Sequence, residues 1–314
     1  MTFLERLNEL ANDIDVPPYV DNFSDLGWPL RKGEVGHHRH LHHYTSQEAA
    51  FQILDKKAIR ATDAHFLNDT EEILLGRRAL KAALAKFPSR SDEYTGFSGA
   101  VRFLLKADEP ANYRMTALKR GRAYVVSFST KDDDLRQWQS YGRSGGVSFG
   151  FSLSLLAQVQ PDAMLAPVIY ASLEDLIQFI HEDMNSIWNS ASILNPEKRR
   201  QVLIRRYALF TALTKSTDFE SENEWRLVLT EAQANRQAVS WRQSQAYAIP
   251  YLTLALWEGG ESSQLSNNAS SSTRLEAAYG GCRVVLRKDS NPLTRVYYDS
   301  KNIPVQKSQI TLRE

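Results

Sequence analysis

Residues His42–Asp69, HHYTSQEAAFQILDKKAIRATDAHFLND, set the frame for the rest of the chain. They join a strand bearing a histidine and a hydroxyl to an amphipathic helix, a second short strand and an Asn-Asp turn. In strand geometry His43 and Thr45 point to one face, while His42 and Tyr44 point to the other. The run T-S-Q-E, with Thr45 as cap and Glu48 three residues on, predicts that the strand breaks into a helix at Thr45. A strand end that brings an imidazole and a hydroxyl to a helix N-terminus suits a polar or anionic ligand.

Outward from this unit, Asp69 with Glu72 predicts the cap of a helix with Ile73, Leu80, Leu84 and Phe87 as its stripe, closed by Pro88. Asn68 has two readings, a turn residue or a cofactor contact. Residues 89–121 read as helix and then loop. RAYVVSFS (122–129) reads as a strand, after which Thr130 or Asp132 caps a short helix with DDD in its first turn. Leu135, Trp138 and Tyr141 recur at helical spacing, with Trp138 as a core aromatic. GRSGGVSFGFSL (142–153) turns into a strand with Val147, Phe149 and Phe151 on one face, where glycines permit close backbone approach. AMLAPVIYA (163–171) predicts a further strand. Two helices follow, over 173–189 and 196–214. The second carries Lys198, Arg199, Arg200, Arg205 and Arg206, read as a solvated face or a nucleic-acid patch. In the tail, AVSWRQ, AYAIPYLTLAL, CRVVLR, TRVYYD and QITLRE read as strands.

FESENEWRLVLT (219–230) is the second chemical centre. In an extended chain Glu220, Glu222 and Glu224 share a face, so mutual repulsion predicts a raised pKa for at least one of them. Arg226 continues that face and neutralises one carboxylate. Two readings stand side by side: a structural Glu–Arg pair at a strand start, and a carboxylate pair for acid–base work. Lys215, just upstream, is a candidate phosphate contact.

Several of these motifs resemble one family. H-Y-T-S, a short helix ending in I-L, AIRAT and F-L-N-D-x-x-E are similar to the domain-of-unknown-function 2971 family. So are SFSTKDDDLRQWQSYGRSGGVSFGF (127–151), FESENEWRLV (219–228) and DSKNIP (299–304), which extends the resemblance over most of the chain from about Leu41. The strand–helix–strand head also resembles the NAD-binding head of ADP-ribosyltransferase-like folds, a likeness of fold. That second resemblance implies NAD as co-substrate, with His43 and Thr45 on its ribose side, Asn68 and Arg226 among the cofactor contacts and Tyr141 against nicotinamide. It also implies a catalytic E-x-E pair, with Glu224 as the transition-state carboxylate and Glu222 as its partner, or the two reversed. Cleavage of the nicotinamide N-glycosidic bond passes through a cationic, oxocarbenium-like transition state that a fixed carboxylate stabilises.

Composition bounds the rest. The chain has 314 residues, 42% hydrophobic and 24% charged, which describes a globular protein with a large core. A net charge of +1 advertises neither nucleic acid nor membrane. A lone cysteine, Cys282, excludes an intramolecular disulfide, suits the cytoplasm and reads as a buried strand thiol. HHRHLHH (37–43) places His38, His40 and His42 on one face, but without a cysteine or carboxylate at ligand spacing we expect no metal site. Walker, dinucleotide-binding, esterase and zinc-protease signatures are absent from the sequence. The expectation is therefore an α+β protein of ADP-ribosyltransferase-like mixed sheets with peripheral helices. An N-terminal helix and arm (1–36) precedes one catalytic-type domain (37–314), which carries a mobile Ser/Asn-rich loop at 258–274. The expected activity is transfer of ADP-ribose to a macromolecular acceptor, protein or nucleic acid, in a toxin or antiphage-defence setting. The alternatives are an NAD glycohydrolase on the same site, a metal-dependent nuclease-like toxin and a non-catalytic nucleotide-binding module.

Overall fold

A computed structural model describes residues 40–67, 70–86, 98, 122–142, 145–159, 163–190, 196–230, 239–243, 248–257 and 279–310. The expected N-terminal helix and arm, most of 89–121, the cap at Asp69 and the loop at 258–274 lie outside them. The described residues form a mixed α+β structure, with seven α-helices around a largely antiparallel sheet. Among them, no helix is long and apolar enough to cross a membrane.

Strand β1 (His40–Thr45) leads into α1 (Gln47–Asp55) and β2 (Ala58–Asp63), in the predicted order. The cap differs from expectation. β1 stays paired as far as Thr45, opposite Val147, so the helix is capped by Ser46, whose side chain accepts from the Ala49 amide. Such a cap is worth about 1 kcal/mol. α1 buries Ala50, Ile53 and Leu54, at the spacing of one helical face. Next come α2 (Thr70–Lys86) and β3 (Ala123–Ser129).

The DDD run does not form the first turn of a helix. Asp134 is the N-cap of α3 (Leu135–Ser140) and accepts from the amides of Arg136 and Gln137. Asp133 instead accepts from the Trp138 indole at 2.6 Å and from Ser308 and Gln309, tying the C-terminal segment to this turn. Trp138 is fully buried, whereas Leu135 is exposed. β4 (Val147–Ser152) buries Val147, Phe149 and Phe151 completely. On its other face, a Cβ at Gly150 would lie 2.6 Å from the His42 ring, so only glycine admits that ring.

After α4 (Leu153–Val159), the segment expected as one strand is two, β5 (Met164–Pro167) and β6 (Ile169–Tyr170). α5 (Leu173–Ser190) and α6 (Pro196–Leu213) are the two predicted helices. Arg206 departs from the expected solvated face. It is buried and forms a two-pronged pair with Asp183 of α5. β7 (Thr214–Lys215), β8 (Glu224–Thr230), β9 (Ser240–Gln243), β10 (Ala248–Ala255) and β11 (Cys282–Leu286) follow.

TRVYYD is helical, not extended. Asn291 caps α7 (Pro292–Ser300), and Pro292 occupies its first turn. The cap and the proline outweigh the strand preference of the β-branched and aromatic residues. Among the described residues the last strand is β12 (Val305–Lys307); Gln309 and Ile310 of the predicted QITLRE are not in a strand, and the rest of that segment lies outside the described residues.

Ten strands form one sheet in the order β12-β11-β4-β1-β3-β2-β10-β9, with β8 on β3 and β5 on β8. β6 and β7 pair separately. One detail of register positions the site. β8 pairs with β3 over its full length, from Ala123↔Thr230 to Ser129↔Glu224. β2 meets β3 only at Tyr124 and Val125, and β1 meets it only through His42↔Ser129. The sheet therefore splits between β1 and β2, leaving the middle of β3 to be covered by something other than a strand.

Candidate functional site

A cleft opens at that split. β3 supplies its floor with Val125–Phe128, β1 supplies His42, His43 and Tyr44, and β2 supplies Arg60 and Thr62. The Ser127 carbonyl, in the stretch of β3 that neither β1 nor β2 reaches, accepts a hydrogen bond from His43 Nδ1 at 2.9 Å. A carbonyl only accepts, so Nδ1 carries the proton and Nε2 is the basic ring nitrogen. Burial lowers the His43 pKa below the usual imidazole value, partly offset by this bond. His43 is therefore neutral near pH 7.

His42, on the opposite face as expected, is locked elsewhere. Its Nε2 accepts from Arg283 at 2.9 Å, and its Nδ1 lies 3.2 Å from the Ser148 hydroxyl. Burial, with Arg283 and His40 nearby, pushes its pKa down to about 3.

The acidic segment is built differently from the extended run expected. Thr217–Glu222 form a 3-10 turn capped by Ser216, and Asn223 takes left-handed backbone angles (φ 47°, ψ 49°) before β8 begins. The turn is pinned from outside: Ser129 donates to the Glu222 carbonyl at 2.8 Å, and Lys131 to the Ser221 carbonyl at 2.9 Å. The coiled backbone removes Glu220 from the face it was predicted to share, and only Glu222 and Glu224 line the cleft. Lys215 bridges them, with Nζ at 2.8 Å from Glu222 and 3.3 Å from Glu224. Arg226 grips Glu224 through Nε (2.7 Å) and Nη2 (3.0 Å), while its Nη1 donates to the Ala212 carbonyl.

Two cations thus face two carboxylates, and at Glu224 the shift runs opposite to the predicted rise. Burial by itself pushes Glu224 up, but Arg226 and Lys215 outweigh it and hold the carboxyl at about 2. Ser127, opposite Arg226 across the strands, adds a hydrogen bond that acts in the same direction.

Six of the eight residues singled out from sequence line this one cleft: His43, Tyr141, Lys215, Glu222, Glu224 and Arg226. Thr45 does not; it lines an adjoining groove that His43 shares. Asn68 lies outside the described residues. Tyr141 ends α3 and packs on the small cluster of Tyr44, Trp138 and Val285. Arg226 is buried and committed to internal partners, not extended toward a ligand.

Residues 137–227 match the DUF2971 family model. It is described as a protein of unknown function. The DUF2971 segment runs from α3 into β8 and so includes Tyr141, Lys215, Glu222, Glu224 and Arg226. The motif resemblance at His42–Asp69 and at DSKNIP lies outside the matched residues. No curated protein and no solved structure matches the chain.

Four cleft residues were missed or underweighted: Ser127, Gln137, Arg60 and Arg242. Ser127 had a signal, since polar residues alternate with apolar ones in VVSFS and pairing with β8 sets it beside Arg226. Arg60 and Arg242 had none, because nothing local distinguishes a surface arginine from one turned into a cleft. Lys215 was read as a phosphate contact, yet it is buried as the bridge between the carboxylates.

Proposed function

We propose that the cleft is an ADP-ribosyltransferase-like site that takes NAD as co-substrate and transfers ADP-ribose to a macromolecular acceptor in the cytoplasm. One observation carries the reading. A charge-compensated carboxylate pair stands across a split sheet from a neutral histidine and a tyrosine, all on one cleft. The division of the sheet into two blocks joined by one residue pair supports the fold-level likeness. The lining also fits the ligand: Phe66 and Tyr141 suit a planar base, and Glu222 a ribose hydroxyl.

NAD supplies a glycosidic bond whose cleavage develops positive charge. The chain's residues divide the work of meeting it. Both oxygens of Glu224 are held by cations, so it is the inner, positioning carboxylate. Glu222 is the outer one, with a side chain 17% exposed against 8% for Glu224, and it is the group placed to face developing charge. His43 Nε2 is available to hold or accept a proton. The two glutamate roles are therefore the reverse of the first expectation.

The test is NAD consumption by the purified chain, comparing wild type with Glu222→Gln and His43→Ala, with labelled NAD and cell lysate as acceptor. Turnover by wild type, lost by about 100-fold or more in Glu222→Gln, with label on a macromolecule, is the expected result. Turnover without labelling identifies a glycohydrolase. Absence of both turnover and calorimetric binding in wild type overturns the reading. The saturation of Glu224 favours a second reading, a nucleotide-binding module without turnover, which predicts NAD binding in wild type and Glu222→Gln alike.

A further inference from the structure

Past His43 the cleft continues into a second groove, with Arg60, Thr62 and Arg242 on the shared wall. The β2–β10–β9 arm forms its base. One face of that arm buries Ile59, Ala61, Leu252 and Leu254. The other presents polar residues in register: Arg60 opposite Thr253, and Thr62 opposite Tyr251. Arg242 pairs with Ile249 on the same side of the sheet, and Lys56, at the end of α1, completes the lining. Arg60 lies 4.9 Å from the centre of the Tyr251 ring, so an aromatic face and a guanidinium form one surface. Three cations line the groove and, among the described residues, neither Asp nor Glu does. The neighbouring cleft, by contrast, carries two carboxylates.

We infer that this sheet face is the acceptor subsite and that its occupant is a single-stranded nucleic acid, which rests on the transferase reading of the cleft. Charge complementarity points to a phosphodiester backbone. A sheet face that sets an aromatic ring among cations suits unstacked bases better than a duplex, whose bases are hidden in its grooves. Continuity through Arg60 and Arg242 brings a strand lying there up to the carboxylate pair.

The experiment is fluorescence anisotropy of the full chain with labelled oligo(dT) and oligo(U) over a range of salt, with NAD consumption measured in parallel. Wild type is expected to bind both strands, with affinity falling as salt rises. Lys56→Gln should weaken all strands to a similar extent and lower the salt slope by about 1. Thr253→Glu, which places a carboxylate on this face, should weaken binding on the order of tenfold. Melting curves establish that both variants are folded. Lack of strand binding by wild type, or binding that neither variant alters, overturns the inference. Displacement of the strand by stoichiometric ADP also overturns it, because the groove then belongs to the dinucleotide. NAD turnover without strand binding sinks this inference and leaves the transferase reading standing; strand binding with NAD untouched overturns the transferase reading and the acceptor role with it, leaving only a strand-binding face.

Discussion

Two buried ion clusters flank β3, and they are built from the same chemistry for different ends. At one, Asp63 is fully buried. It accepts from Arg122 at 2.8 Å, and its other oxygen accepts from the His65 backbone and lies 2.9 Å from the His65 ring. It ends β2, caps the following turn and is absent from the cleft lining. At the other, Lys215, Glu222, Glu224 and Arg226 form a chain that begins in the core and ends on a partly exposed carboxylate in the cleft. Burying ions costs desolvation that pairing only roughly repays, so neither cluster is an economical way to stabilise a fold. The sealed pair fixes a turn. The graded cluster sets one carboxylate, paired with Lys215, at the edge of a cavity.

The largest effect should come from removing one guanidinium in each cluster. Arg226→Ala and Arg122→Ala each leave a buried carboxylate short of its partner, and each should cost about 3–5 kcal/mol in urea denaturation. Only Arg226→Ala should also change ligand binding in the cleft. Equal effects of the two on binding would erase the distinction between the clusters.

Acid sharpens the same contrast. Glu224 is held at about 2 against an ordinary value of 4.5. A carboxyl whose folded pKa is depressed stabilises the fold above its unfolded value and loses that contribution as pH falls through the folded one. Stability should therefore drop by a few kcal/mol as pH falls from about 4.5 toward about 2. Glu224→Gln should flatten that part of the stability–pH curve, and an unchanged curve would show that Glu224 is not the group responsible.

The smallest effect on stability belongs to Glu222→Gln. Lys215 keeps Glu224 as a partner, and the Glu222 side chain is partly solvated. We expect a loss of about 1 kcal/mol or less in denaturant, beside a large loss of the proposed turnover. A stability loss as large as that of Arg226→Ala would make Glu222 a structural ion.

Much of this was legible in the chain. The alternation in HLHHYT placed His43 and His42 on opposite faces, and the structure gives them separate partners, the Ser127 carbonyl and Arg283. The apolar triplet Val147, Phe149 and Phe151 fixed the buried face of β4. Local sequence failed where two local signals competed. β-branched and aromatic residues concealed the helix that Asn291 and Pro292 start, and alternating glutamates suggested an extended strand that the Ser216 cap coils instead.

The sequence by itself determined most of the elements and the faces they bury, wherever hydrophobic period and capping, which act within a few residues, agreed. Tertiary structure alone decided where the sheet divides. It also brought Lys215 of β7 between the two glutamates and turned Arg60 and Arg242 toward one cleft. Those outcomes depend on pairing between strands distant in the chain. The sign of the Glu224 shift depends on them as well, because it balances burial against charges from two different strands.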